Sequence, residues 1–219
     1  MTRSISRTLE YSYNDFCISQ IAAGLGHQGD VEKYQTSSGN WLNLFRSDQT
    51  SYINDTNTGF TGFFQPKYLN QTWGFQDPLK CSNIDTNPDS VCSLQNNAAE
   101  TFESSIWEYQ NFVPHDMARL VATLGGPRHF VRRLDYLHDQ NITYIGNEPA
   151  FLTVFQYHYA GRPALSAKRS HFYVRRQMTY SNTTLADNLT RSLASSKRHP
   201  TACPATTTRE PWVASWRSA

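Results

Sequence analysis

Apolar residues along this chain recur mostly at helical spacing. From Thr8 to Gly24 they fall at Leu9, Tyr13, Phe16, Ile18 and Ile21 and continue to Leu25, with Gly24 and Gly26 as stops. Asp30 is placed to cap a second helix, from Val31 to about Phe45. Further helices are predicted over Ser104–Phe112, from Pro114 to Leu124 with Gly125 and Gly126 as the stop, over Pro127–His138, over Ala150–Tyr159, and from Leu165 to about Gln177. Pro114 and Pro149 suit first helical turns, where the missing N–H would have no partner anyway. No alternating strand pattern and no short repeat is evident. The stretch from Arg46 to Ala99 breaks the helical pattern and is rich in Asn, Asp, Thr, Gly and Pro. Excursions of that length are uncommon unless they build a site. The expected fold class is all-α: helical hairpins joined by site-building loops, a partial (α/α)6 toroid if more hairpins stand upstream, with the long loop at about 46–99.

With 219 residues, the chain has room for one sizeable core or for part of a larger domain. Aromatic residues make up 13% of it while hydrophobic residues reach only 38%. That balance fits a polar cleft lined with rings, on which sugars stack their C–H faces, although cores use the same residues. Charge is uneven: residues 1–161 carry 10 Lys/Arg against 16 Asp/Glu, and residues 162–219 carry 10 against 2. A basic tail is compatible with nucleic-acid or membrane contact, but also with a tail of different origin from the body, and the second reading is preferred. No nucleic-acid or membrane partner is therefore expected.

No run approaches transmembrane length, and Met1–Arg7 has no apolar stretch of the kind a signal peptide needs. Yet Asn-x-Thr sequons stand at Asn54, Asn70, Asn141, Asn182 and Asn188. Cys81 and Cys92 close a short polar loop of the sort that disulfides staple in secreted proteins. Cys17, among Phe16, Ile18 and Ile21, reads as a buried free thiol. The body thus has secretory character, and an extracellular location with an absent N-terminal part is the expectation.

Four segments carry a family resemblance: Thr8-Leu-Glu-Tyr-Ser-Tyr-Asn-Asp-Phe-Cys-Ile18; Glu103-Ser-Ser-Ile-Trp-Glu-Tyr109 with Val113-Pro-His-Asp-Met117; Gly146-Asn-Glu-Pro149; and Tyr157-His-Tyr-Ala-Gly-Arg-Pro163. In order and spacing they resemble the catalytic domain of glycoside hydrolase family 92, calcium-dependent exo-α-mannosidases, from about Arg7 to Tyr173. The resemblance implies a middle portion of an (α/α)6 barrel that is preceded in the family by a β-sandwich. It implies terminal α-mannosyl residues of glycans as substrate, hydrolysis with inversion, and calcium as cofactor.

Inverting glycosidases use two carboxyl groups about 6.5–9.5 Å apart, one protonated and one ionised. An aromatic, apolar wall favours the protonated form of a carboxyl, and Phe102, Trp107 and Tyr109 flank Glu103. The resemblance assigns Glu103 as general acid and gives Trp107 a part in shaping the sugar pocket. On residue pattern alone, the helix-capping reading of Glu103 is preferred, and the resemblance reverses that preference. Asn147 and Glu148 offer a carbonyl and a carboxylate, oxygen ligands of the kind calcium takes. The resemblance places both at the calcium and sugar site, while the pattern also fits an N-cap with an acid in the first turn. His115 and Asp116 look like a metal or catalytic pair but serve equally as a cap for the helix at Pro114.

After Tyr173 the resemblance stops. The family continues with Gly-Asn-Asp-Asp-Ser-Gly-Ala-Met-Gly-Ser-Phe, whose aspartates supply the general base, whereas the acids after Tyr173 here are Asp187 and Glu210. Reading the third base of each codon with the first two of the next, codons for Ala205-Thr-Thr-Thr-Arg-Glu-Pro-Trp-Val-Ala-Ser215 admit the whole family segment in order. Residues 178–219 are therefore expected to be an out-of-frame, unstructured tail on a catalytic-domain fragment spanning 1–177. Without the base, the chain as written is expected to be inactive. A carbohydrate-binding remnant and a non-functional product of a faulty gene prediction are the alternatives.

Overall fold

The computed structural model describes residues 3–90, 92 and 99–176. The proposed out-of-frame tail at 178–219, with the sequons Asn182 and Asn188, lies outside the described residues. The chain divides into two compact units, Met1–His171 and Phe172–Ala219. Of the second, residues 172–176 are described; they are helical, with Phe172 edge-on to Tyr173 at 5.2 Å.

The first unit opens with α1, Ser4–Leu25, which ends at Gly26 in the left-handed region (φ 77). There the Gly26 N–H reaches back to Ala22 and Ala23, a turn that glycine makes without strain. The helix α2, Gln28–Ser37, packs back against α1, with the Ser19 hydroxyl 3.3 Å from Gln35 Oε1. α1 buries Ile5 and Leu9 together with small residues, Ser12, Ser19 and Ala22. Ile18, Ile21 and Leu25 stay exposed. This corrects the expected apolar face: small side chains give the closer helix contact, and the larger ones point away from the described core. Cys17 is free, as expected, but half-buried rather than buried.

The helix predicted to run from Val31 to Phe45 stops early, tightens into a 3₁₀ segment over Ser38–Leu44, and hands over to a strand. The strands β1, Phe45–Ile53, and β2, Thr56–Phe64, form an antiparallel hairpin inside what sequence reading treats as loop. The all-α expectation is therefore too simple: the fold is helix-rich with a small two-stranded sheet. The hairpin hides from a period-2 search because its register shifts twice, between Arg46 and Thr50 and between Thr50 and Tyr52. As a result β2 buries three consecutive residues, Gly62, Phe63 and Phe64, instead of alternating.

Of the later helices, α3, Ile106–Tyr109, and α4, Met117–Thr123, are shorter than predicted; α5, Pro127–Asp139, keeps the predicted span; and α6, Glu148–Phe151, continues as 3₁₀ over Leu152–Ala160. The last helix of this unit, α7, begins at residue 163. α5 is the best amphipathic element, with Phe130, Leu134 and Leu137 fully buried on one face. They meet Trp41, Phe63, Phe64, Ile106 and Trp107 in one core. Each such side chain contributes about 1.5–3 kcal/mol by leaving water.

Arg133 of α5 ties this core to the hairpin. It is 4% exposed, donates to the carbonyls of Thr61 (2.7 Å) and Gly62 (2.9 Å), and lies over the ring of Phe63 at 4.4 Å. Burial pushes its guanidinium down to about 9, so it remains charged at neutral pH. Cys81 and Cys92 are disulfide-bonded, their Cα atoms 5.8 Å apart.

His138, at the end of α5, is 1% exposed and stacked on Tyr157 at 6.4 Å. Burial, followed by the charge of Arg169, lowers it to about 3. An unfolded histidine binds its proton near pH 6.5, so below that value the unfolded chain gains a proton that the folded chain refuses. Stability is expected to fall as pH drops from about 6.5 towards 3, by at most about 1.4 kcal/mol per pH unit from this group. Urea unfolding across that range, compared with His138→Gln, measures it. If the variant keeps the same acid limb, His138 is not its source.

Candidate active site

Glu103 stands in a backbone conformation that few residues other than glycine adopt, φ 61. The Ser104 N–H donates to the Phe102 carbonyl at 2.7 Å, so Glu103 is the central residue of a positive-φ γ-turn, a rare and strained form. Such strain costs about 1–3 kcal/mol and persists where the surroundings over-determine it. The capping alternative for Glu103 is removed. The N-cap of α3 is Ser105, whose hydroxyl accepts from Glu108 N–H, while the Glu108 carboxylate accepts from Ser105 N–H at 2.9 Å.

Glu108 is the hub that holds the strained turn. Its Oε2 accepts from the Ser105 N–H and hydroxyl, and its Oε1 accepts from the Thr143 hydroxyl (3.1 Å) and the Tyr144 N–H (3.0 Å). One carboxylate thus fastens the start of α3 to the loop that leads into α6. Burial raises Glu108 above the ordinary carboxyl range, and these four hydrogen bonds act in the opposite direction. The residue escapes a search for catalytic acids, but the Ser105-x-x-Glu108 spacing is a legible capping-box signature.

Through that fastening, Asn147 comes beside Glu103. Its Nδ2 donates to the Ser104 hydroxyl at 2.8 Å and lies 3.5 Å from the Glu103 carbonyl. Its Oδ1 accepts from the Glu148 N–H at 3.1 Å, so Asn147 is also the N-cap of α6. Glu148, exposed, follows in the first turn. The loop at 99–104 is held from its other side by α1: Glu100 Oε2 accepts from Ser4 N–H and Oγ, both at 2.9 Å.

α1 adds an acid that sequence reading quoted within a motif but did not assign. Partial burial, then the charge of Glu148 and more weakly that of Glu103, pushes Glu10 above its ordinary value, against a lowering contribution from Tyr109. Tyr109 is itself pushed up by burial and then by the charges of Glu10 and Glu103. Its hydroxyl is buried and meets no acceptor at strict hydrogen-bond geometry, although the Glu10 carboxyl approaches closely enough to act on both groups. Glu10 thus feels the charge of Glu148 and of Glu103, which come from separate parts of the sequence. Glu10 also lines a cavity of about 280 Å³ with Arg3, Ser6, Arg7, Tyr11 and Phe102.

Trp107 is not at this surface. It is 1% exposed, stacks on Tyr136 at 5.6 Å, meets Phe63 edge-on at 5.0 Å, and donates from Nε1 to Ser51 Oγ at 2.9 Å. Its ring is committed to the core because α3 turns that face inward, towards α5 and the hairpin. His115 places Nε2 3.0 Å from the Ser38 carbonyl, and Asp116 makes no side-chain cap bond. Among the described residues, no group of three or more His, Cys, Asp or Glu side chains is arranged to hold a metal ion.

The chain is 63% identical over 173 residues to an uncharacterized secreted glycosidase of Arthroderma benhamiae, covering 79% of this chain and 22% of that protein. Among solved structures it is similar to the gh92 family glycosyl hydrolase ccman5, with TM-score 0.59 and 18% identity over 77% of this chain and 21% of that one. It is also similar to a family GH92 inverting mannosidase from Bacteroides thetaiotaomicron, with TM-score 0.50 and 21% identity over 72% of this chain and 21% of that one. The chain thus spans about a fifth of the length of these relatives. The profile of the Glycosyl hydrolase family 92 catalytic domain matches residues 1–188, and the chain belongs to that family.

Proposed function

We propose that this chain is the part of an inverting α-mannosidase that carries the general acid, Glu103, and contributes Asn147 and Glu148 to the sugar site. The observation that supports the reading is the strained turn at Glu103, which Glu108 and Asn147 hold near Glu10, a residue that lines a cavity. A carboxylic acid there donates its proton to the glycosidic oxygen as the bond to the mannosyl carbon breaks. Glu108 and Asn147 hold the turn in register.

Calcium fits this donor chemistry only as a shared ligand set. Glu148 and Asn147 offer hard oxygens, while a calcium ion takes six to eight, and no complete cage occurs among the described residues. The remaining ligands are assigned to other parts of the complete domain. When bound, the ion supplies a positive charge that orients sugar hydroxyls. The general base falls to the same outlying parts, so the chain alone is assigned no turnover. The exposed apolar face of α1, Ile18, Ile21 and Leu25, supports an (α/α)6 toroid in which further hairpins cover it. An extracellular location is supported by the disulfide and by the secreted relative. No helix among the described residues is long and apolar enough to cross a membrane.

The test uses a complete catalytic domain containing this segment. Proton NMR of α-mannoside hydrolysis is expected to show β-mannose as the first-formed anomer, and α-mannose first would refute inversion. In the same protein Glu148→Ala is expected to weaken calcium binding by about tenfold or more, since loss of outer-shell partners alone costs that much. Calorimetric calcium titration reads this without reference to activity. Unchanged calcium affinity would remove Glu148 from the ligand set.

A further inference from the structure

The chain after β2 folds back on itself within five residues, Tyr68-Leu69-Asn70-Gln71-Thr72. The Gln71 N–H donates to the Tyr68 carbonyl at 2.9 Å, and the Tyr68 N–H donates to the Thr72 carbonyl at 2.9 Å. Lys67 and Trp73 pair as an antiparallel bridge just outside. This is a four-residue turn with a G1-type bulge, whose bulge residue, Gln71, is left-handed at φ 68. Glycine is the usual occupant of that position.

The turn carries an acceptor triplet for N-glycosylation, Asn70-Gln71-Thr72, and all three residues are exposed. Asn70 Oδ1 accepts from the Thr72 N–H at 3.1 Å and from the Thr72 hydroxyl at 2.7 Å. Asn70 Nδ2, the atom that would bear a sugar, donates to no group among the described residues. Two positions before the acceptor stands Tyr68. A Cβ at Gly74 would meet its Oη at 3.3 Å and its Cε2 at 3.4 Å, so the ring lies along the returning chain. Tyr68 nonetheless remains 60% exposed, beside the fully exposed Leu69.

We propose that Asn70 carries an N-linked glycan whose first N-acetylglucosamine stacks its C–H face on the Tyr68 ring and abuts Thr72. The new bond joins Asn70 Nδ2 to C1 of the sugar. The bond that breaks joins C1 to the pyrophosphate of a lipid-linked oligosaccharide, which leaves as the lipid pyrophosphate and takes up the amide proton. Stacking places apolar sugar hydrogens on an electron-rich face that water now covers, and holds a turn whose bulge lacks glycine.

The other described sequons differ in the features that matter. Asn54 also follows a tyrosine by two positions, but it and Asp55 are both left-handed, φ 47 and 60, at the tip of a two-residue hairpin. Tyr52 there pairs across the strand with Asn57. Asn141 has Asp139 two positions before it, and its Thr143 is 2% exposed with the hydroxyl bound to Glu108.

The experiment secretes the full chain from a eukaryotic host behind a cleavable leader and maps glycopeptides by mass spectrometry. The peptide containing Asn70 is expected to be glycosylated in most molecules, with occupancy falling several-fold in Tyr68→Ala. Removing the glycan with peptide N-glycanase is expected to lower Tm by a few degrees in the parent and not in Tyr68→Ala. If secretion fails, translation of the same chain with microsomes reads occupancy as a gel shift, to be lost in Thr72→Ala. An unmodified Asn70 in either system overturns the site, and an equal Tm change with and without Tyr68 overturns the stacking.

Discussion

In a complete catalytic domain containing this segment, Glu103→Gln is expected to lower turnover of α-mannosides with poor leaving groups by about 10²–10⁴-fold, the usual worth of a positioned general acid. The amide matches the carboxyl in shape, and the contacts of the turn, from Ser104 N–H to the Phe102 carbonyl and from Asn147 to the Glu103 carbonyl, do not use the Glu103 side chain and are retained. Sugar affinity should therefore change little, while the proton for the departing oxygen is gone. A substrate whose leaving group is stable as an anion needs no such proton, and its rate should fall far less. That split between substrates separates a catalytic acid from a residue that only shapes a loop. Glu103→Gly supplies a second arm: glycine relieves the left-handed strain at φ 61, so thermal stability should hold or rise while the same activity is lost. If Glu103→Gln hydrolyses the poor-leaving-group substrate at the parent rate, the assignment of Glu103 fails.

The residues of this cluster were legible in the sequence to the extent that they sit in motifs. Glu103, Asn147 and Glu148 could be named from the resemblance. That Asn147 reaches the Glu103 turn could not, because the contact spans 44 positions and depends on Glu108 fastening both segments. Glu10 was invisible as a member for the same reason: only the docking of α1 on the 99–104 loop, through Glu100 and Ser4, brings it near. Helix existence was readable wherever a stop signal was strong, as at Gly26, or where a proline opened an amphipathic run, as at Pro127. Helix extent was readable at α5 but not at α3 or α6. α3 and α6 are single α-helical turns, and a window of apolar residues does not report that. The β1–β2 hairpin was lost to its two register shifts, which scramble the alternation that reveals a strand. Trp107 shows the opposite error: an aromatic residue near a candidate acid reads as pocket lining until the direction of its helix face is known.

Trp107→Ala, accordingly, is expected to act on stability rather than on sugar recognition. The ring is 1% exposed and packs against Phe60, Phe63 and Tyr136, with Arg133 over it at 5.2 Å. Truncating a buried tryptophan costs about 3–5 kcal/mol. The loss of the Nε1 bond also strands Ser51 Oγ, a fully buried hydroxyl, at about 1–3 kcal/mol more. Against a total stability of about 5–15 kcal/mol for an ordinary domain, the sum takes the variant close to unfolding. Trp107→Phe keeps part of the packing but leaves Ser51 unpaired, so it should fall between parent and alanine. Urea unfolding of the three forms, read by midpoint at constant slope, measures the order. A soluble Trp107→Ala with the parent midpoint and weakened binding of mannose in the complete domain would return this residue to the sugar pocket.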